Sequence, residues 1–229
     1  MTAPLQEIDL GRRRYGEVLE LQRDLCRRRL MGALAEDLLL LVEHEPVITL
    51  GRGTRSSSLP LEPAELRRRG LDVFEVERGG DVTYHGPGQL VGYPIIDLKA
   101  HREDLHWYLR ILEAVLIDTL ADLDIAAERR AGLTGVWVGD RKIASIGIHV
   151  KQWVTFHGFA LNVANDLVNF GLIVPCGIDN VVMTSVHEER GRSENPEELW
   201  SHTRQRVIHH FARHMNRVPV ESAGLEAVR

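Results

Sequence analysis

The chain has 229 residues, of which 44% are hydrophobic and 27% charged, and a formal net charge of −5. That size suits one globular domain over residues 1–229, with a core large enough to need no disulfide or metal staple, and the net acidity argues against a general binder of nucleic acid or membrane. Two cysteines, Cys26 and Cys176, cannot build a disulfide framework; the N-terminus lacks a signal-like apolar run, and the longest aliphatic run, Leu38 to Val42, is too short for a bilayer, so a cytoplasmic protein is expected.

Tyr15 to Met31 reads as a helix carrying Val18, Leu21 and Leu25 among arginines, and Leu38 to Val42 as a buried strand. Val47 to Leu50 is a second strand, stopped by Gly51 and Gly53. Pro63 to Arg69 is a short helix ended by Gly70, and Val73 to Val76 alternates as a strand. A glycine-rich stretch, Arg78 to Gly92, precedes a strand over Tyr93 to Leu98. Leu105, Leu109, Leu112, Leu116, Leu120 and Leu123 form one core-facing stripe of a helix over Leu105 to Leu123. Val136 to Val138 and Lys142 to Val150 flank Gly139-Asp140, the signature of a type II′ hairpin. Trp153 to Val163 reads as a strand, Pro196 to Met215 as the last helix, and residues 219–229 as a disordered tail. With no βαβ rhythm, these elements point to an α+β fold on a mixed or antiparallel sheet.

Arginines cluster at 12–14, 27–29 and 67–69, as a solvated helix surface or as a landing patch for an acidic partner. His210 and His214 have a metal-like helical spacing but no partner cluster, so no metal site is expected. Cys176 lies between Pro175, which has a fixed φ and no N–H, and Gly177, which permits close approach to a ligand. This context fits a nucleophile on a shaped loop, but by itself it also fits a structural cysteine. Cys26 sits in a helix with no such shaping. A free thiol is only slightly ionised at neutral pH, so a nucleophilic cysteine needs a cation or base beside it. Lys142 stands on a strand followed by Ile143, Ala144, Ile146 and Ile148, and a lysine in apolar surroundings can exchange a proton near neutral pH. The glycines between Arg78 and Gln89 leave backbone free to approach a ligand, yet match neither a Walker loop nor a dinucleotide fingerprint.

Three segments together resemble the lipoyl(octanoyl) transferase family: Arg78 to Pro94, Gly135 to Val163, and Pro175 to Ile178, in family order. The resemblance implies an acyl-thioester cysteine at Cys176 and a catalytic lysine at Lys142. It implies a substrate cavity at Arg78, Gly79, Gly80, Asp81, Val82, Thr83, Tyr84 and His85, at Ser145, Ile146 and Gly147, and at Gly158, Phe159 and Ala160. Asp81 departs from the glutamine that many relatives carry. The implied fold is a mixed sheet packed by helices with a smaller sheet annex, as in biotin and lipoate protein ligases. The implied reaction moves an octanoyl or lipoyl group from acyl carrier protein to a lysine of lipoyl domains in 2-oxoacid dehydrogenase complexes and glycine cleavage H protein. The acyl group arrives on phosphopantetheine, with no other cofactor. Arg141, Lys151 and Arg129-Arg130 are candidates to receive an acidic carrier. The competing readings are an ATP-dependent ligase, a non-catalytic lipoyl-domain binder and a cysteine hydrolase.

Overall fold

A computed structural model describes residues 3–221. In chain order the elements are β1 (Pro4–Arg13), α1 (Tyr15–Leu30), β2 (Asp37–His44), β3 (Val47–Leu50), α2 (Pro63–Arg68), β4 (Asp72–Glu75), β5 (Val82–His85) and β6 (Gln89–Ile95). They continue with α3 (Leu105–Ala121), β7 (Glu128–Arg130), β8 (Leu133–Val138), β9 (Arg141–Lys151), β10 (Val154–Asn162), β11 (Val182–Met183), α4 (Val186–Glu189), α5 (Pro196–His214) and β12 (Val218–Glu221).

Among the described residues, the main sheet runs β12-β1-β2-β6-β10-β9-β8-β7, with β11 beside β9. It is mixed: β1 pairs in parallel with β2 and β12, whereas β2, β6, β10, β9 and β8 pair antiparallel in succession. A second sheet of β4-β3-β5 forms the annex that the resemblance implies. Helix α1 covers one face of the main sheet over β6 and β10, and α3 covers the other, backed by α5. The apolar run in β2 follows from this sandwiching. Leu39 and Leu41 enter the core under α3, while Leu38, Leu40 and Val42 enter the core under α1. A strand buried on both faces needs no polar alternation.

Helix ends are chemically marked. Asp104 accepts from the Trp107 N–H at 3.0 Å at the start of α3, and Asn195 caps α5 ahead of Pro196. The α3 stripe differs from the leucine pattern: Leu105 is exposed and Leu109 half-buried, while Tyr108 and Val115 join Leu112, Leu116 and Leu120 in the core. The stripe holds at Leu112, Leu116, Leu120 and Leu123, all in the core, and departs at Leu105 and Leu109 at the start of the helix.

Three strands lie where the sequence reads otherwise. β1 was not anticipated, because Gly11 and a register shift between Asp9 and Arg12 break its alternation. β5 and the start of β6 run through the glycine-rich stretch, and all of β5 is buried although half of it is polar. Residues 219–221 pair against β1 instead of trailing as a tail; 222–229 lie outside the described residues. Gly139 has φ +54°, as the hairpin requires, whereas Gln152 and Trp153 (φ +48° and +71°) form a turn that delays β10 to Val154. Among the described residues, no helix is long and apolar enough to cross a membrane.

Candidate functional site

Lys142 and Cys176 are brought together by β11. This short strand pairs in parallel with β9 at Arg141 and Lys142, and the Thr184 N–H donates to the Lys142 carbonyl at 2.9 Å. The loop entering β11 contains a tight turn at Pro175–Gly177. Cys176 Sγ thus lies 3.1 Å from Lys142 Nζ and 3.7 Å from Ser145 Oγ. Lys142 is 1% exposed and its Nζ also donates to the Thr134 carbonyl, 5.4 Å from the Trp137 ring centroid. Cys176 is half-buried and left-handed (φ +58°), a conformation costly for a residue with a side chain and frequent at functional turns. A side chain at Gly177 (φ +65°) would be strained and would push on Asp81, since its Cβ would stand 2.4 Å from Asp81 Oδ2. The amides of Gly177 and Ile178 are taken by the carbonyls of Val174 and Pro175.

The thiol opens on a cavity of about 220 Å³. It is lined by Thr83 and His85 of β5, Tyr93 of β6, Ser145, Ile146 and Gly147 of β9, and Gly158, Phe159 and Ala160 of β10, with Arg78, Gly80 and Asp81 at one side. Gly79, Val82 and Tyr84 do not line it. Strand alternation turns Val82 and Tyr84 into the core of the small sheet, where Tyr84 meets Phe170 edge-on. Gly79 uses its N–H on the Ile148 carbonyl at 2.9 Å. The sequence reading missed Tyr15, Val91, Tyr93 and His157, all of which face the cavity. His157 stands inside the Gly135 to Val163 segment, but its left-handed backbone (φ +56°) in mid-strand had no sequence signal.

Arg78 is a buried cation whose hydrogen bonds all go to neutral acceptors: the Thr49 hydroxyl and carbonyl, the Gly79 carbonyl and the Asp81 carbonyl. Burial draws its pKa below the ordinary value, but a guanidinium stays charged in proteins. It therefore presents positive potential to the cavity, where a thiolate or an oxyanion would benefit. Asp81 accepts from Ser58 Oγ at 2.7 Å and from the Val82 N–H, while the Ser58 carbonyl accepts from the Val174 N–H. Asp81 thus braces the Cys176 loop through Ser58. A second buried relay joins His85 to Gln89 (2.7 Å), Gln89 to Asn162 (2.9 Å) and Asn162 to the Thr184 carbonyl, ending beside Lys142.

The far part of the cavity is ringed by neutral polar groups. Burial lowers the pKa of His85 to about 3, and burial with the nearby Arg78 charge lowers that of His157 to about 3. Behind them His44, lowered to about 4 by burial, bonds the Tyr93 hydroxyl at 2.8 Å. Burial also raises Tyr15 and Tyr93 above the usual phenol range, so both remain protonated.

The basic groups expected to receive a carrier are mostly engaged. Arg141 makes two 2.8 Å bonds to Glu189, Arg129 pairs with Glu113, and Arg130 pairs with Asp140. The arginine clusters are largely paired as well: Arg12 with Glu45, Arg29 with Asp37, and Arg68 and Arg69 with Glu65. His210 and His214 bond Asp122 and Asp118, respectively.

Residues 14–214 match the family model described as the lipoyl protein ligase A/B catalytic domain. The chain is 50% identical over 204 residues to the octanoyltransferase of Solibacter usitatus, covering 89% of this chain and 90% of that one. In structure it is similar to a lipoate-protein ligase A determined with ATP (TM-score 0.68, 14% identity, 97% of this chain and 89% of that one). It is also similar to a biotin protein ligase of Aquifex aeolicus (TM-score 0.51, 13% identity, 93% and 72%). At such identities these two structures speak for the fold alone.

Proposed function

The chain belongs to the lipoyl protein ligase A/B catalytic-domain family, and from that premise we propose that it is an octanoyltransferase of protein lipoylation working through a thioester on Cys176. The observation that carries this reading is the 3.1 Å approach of Lys142 Nζ to Cys176 Sγ at the edge of the cavity. The donor is octanoyl-acyl carrier protein, whose phosphopantetheine thioester enters beside Cys176. Lys142 takes the thiol proton, and the thiolate attacks the carbonyl. The C–S bond to the carrier breaks, its thiol recovers a proton from Lys142, and octanoyl-Cys176 remains. The neutral amine of a lipoyl-domain lysine then attacks this thioester. An amide forms, the bond to Sγ breaks, and the amine proton passes to Lys142 or the thiolate.

Arg78 supplies positive potential during both attacks, and the Ser145 hydroxyl lies close enough to Sγ to donate to the developing oxyanion. Thioester exchange is nearly balanced and amide formation is downhill, so the reaction calls for no ATP and no further cofactor. The cavity volume of about 220 Å³ suits a narrow chain better than the ~300–1,000 Å³ of pockets that enclose drug-sized ligands. Each buried methylene contributes about 0.8 kcal/mol to holding the chain. We place the reaction in the cytoplasm, consistent with two free thiols.

Intact-protein mass spectrometry with octanoyl-acyl carrier protein and no acceptor tests this. An octanoyl adduct should form, be released by hydroxylamine, and vanish in Cys176→Ala. Lys142→Arg keeps the cation but cannot cycle a proton, and should slow acylation by roughly 10²–10⁴-fold. Turnover that persists in Cys176→Ala, or that depends on ATP, would replace this reading with a ligase mechanism.

A further inference from the structure

The rim of the cavity carries cations that no carboxylate occupies. Residues 51–58 run along this rim, tied to both sides of the site. The Arg52 and Gly53 amides donate to the Arg78 and Gly80 carbonyls at 3.0 Å, while Ser58 holds Asp81 and the Val174 amide ahead of Cys176. The side chains of Arg52 and Arg55 are exposed, and among the described residues neither meets a carboxylate or other acceptor. Across the Gly79–Gly80 turn, Gly79 bonds the Ile148 carbonyl, and β9 continues to His149 and the exposed Lys151. Burial is the main effect disfavouring protonation of His149; the Arg52 charge and, less, that of Lys151 act the same way, against the Glu77 carbonyl and carboxylate, which favour it. The Glu77 carboxylate near His149 is taken by Arg23, so among the described residues Arg52 and Arg55 stay without a counter-charge on a chain that is acidic overall, whereas Arg129, Arg130 and Arg141 are neutralised internally.

We propose that Arg52 and Arg55 dock the acyl donor: an acidic carrier protein whose thioester hangs from a phosphodiester-linked arm. The proposal rests on the acyl-enzyme reading above. An arm that enters beside Arg78–Asp81 passes this segment, because Gly80 and Asp81 line the cavity and residues 51–58 bond to Gly80 and Asp81. Its phosphodiester carries a negative charge that guanidinium groups receive with charge-assisted bonds. Carboxylates of the carrier body would be steered by the same field, which accelerates encounter and weakens with salt.

The test compares two donors with wild type, Arg52→Glu/Arg55→Glu and the milder Arg52→Gln/Arg55→Gln. Octanoyl-acyl carrier protein supplies charge and arm; octanoyl-N-acetylcysteamine supplies only the thioester. Octanoylation of Cys176 is followed by mass spectrometry at rising NaCl, and transfer from pre-formed octanoyl-enzyme to a lipoyl domain is timed separately. With the carrier, charge reversal should slow acylation roughly tenfold or more and flatten its salt dependence, with the glutamine pair intermediate. Acylation by the small thioester and transfer to the lipoyl domain should stay within roughly twofold of wild type. Unchanged acylation by the carrier overturns the proposal. Equal loss with the small thioester assigns the residues to the integrity of the site, and loss confined to the second step assigns the surface to the acceptor; both overturn it too. Wild type that accepts octanoyl from neither donor would bring down the acyl-enzyme reading itself.

Discussion

Lys142 has room to reach Cys176 because Gly135 lacks a side chain. A Cβ at Gly135 would stand 2.8 Å from Lys142 Cε and 2.6 Å from the Ala144 carbonyl, and its φ of +128° lies where side chains are rarely tolerated. Gly135→Ala should therefore act through the lysine. Displacement on the order of 1 Å can cost about 10²-fold in rate. Single-turnover acylation should fall by that order in Gly135→Ala, yet show little further loss when the same change is made in Lys142→Ala, since two changes acting on one group are not additive. Full additivity would place the role of Gly135 outside the Lys142–Cys176 pair.

At the scale of elements, β2, β5 and β10 each carry a buried neutral histidine toward the cavity or the layer behind it. Against an ordinary value of 6.5, His44 is lowered to about 4 and His85 and His157 to about 3, in each case chiefly by burial. The unfolded chain thus binds more protons than the folded one between about pH 6.5 and 3, and stability falls as pH decreases through that window. Each group contributes at most about 1.4 kcal/mol per pH unit. Thermal unfolding should show Tm dropping steadily from pH 7 to pH 5, with a shallower slope in His157→Gln. A His157→Gln slope equal to that of wild type would mean that this histidine does not sense pH through burial.

At the scale of the molecule, the site exists because the small sheet closes over the α1-facing side of the main sheet. Strand β5 lends Thr83 and His85 to the cavity, and β10 contributes Ala160 from the main sheet. Ala160 is 3% exposed and belongs to the core under α1 as well as to the cavity lining, so a larger side chain there should shorten the space for the acyl chain. Ala160→Leu is expected to shift preference from eight carbons toward six or fewer. A methylene too many typically costs about 1–3 kcal/mol, or roughly 10–200-fold in kcat/KM. Competition between hexanoyl and octanoyl donors reads this directly; an unchanged ratio would place the chain terminus elsewhere.

The sequence by itself determined the pieces whose chemistry is local. Pro175-Cys176-Gly177 demands a shaped turn, Gly139-Asp140 demands a hairpin, and the apolar run at 38–42 demands a strand buried on both faces. The linked motifs, read by resemblance, also carried the pairing of Lys142 with Cys176. Tertiary structure decided what depends on direction and on distant partners. Period-two alternation sends Val82 and Tyr84 into a core and Thr83 and His85 into the cavity, a choice invisible in a stretch that reads as loop. Tyr15, Tyr93 and His157 meet there from three separate elements. Charge followed the same rule: Arg141 and Arg129 are spent on Glu189 and Glu113, whereas Arg52 and Arg55 are left facing solvent at the rim. A charge is available to a partner only when folding brings no counter-charge to it, and composition cannot report that.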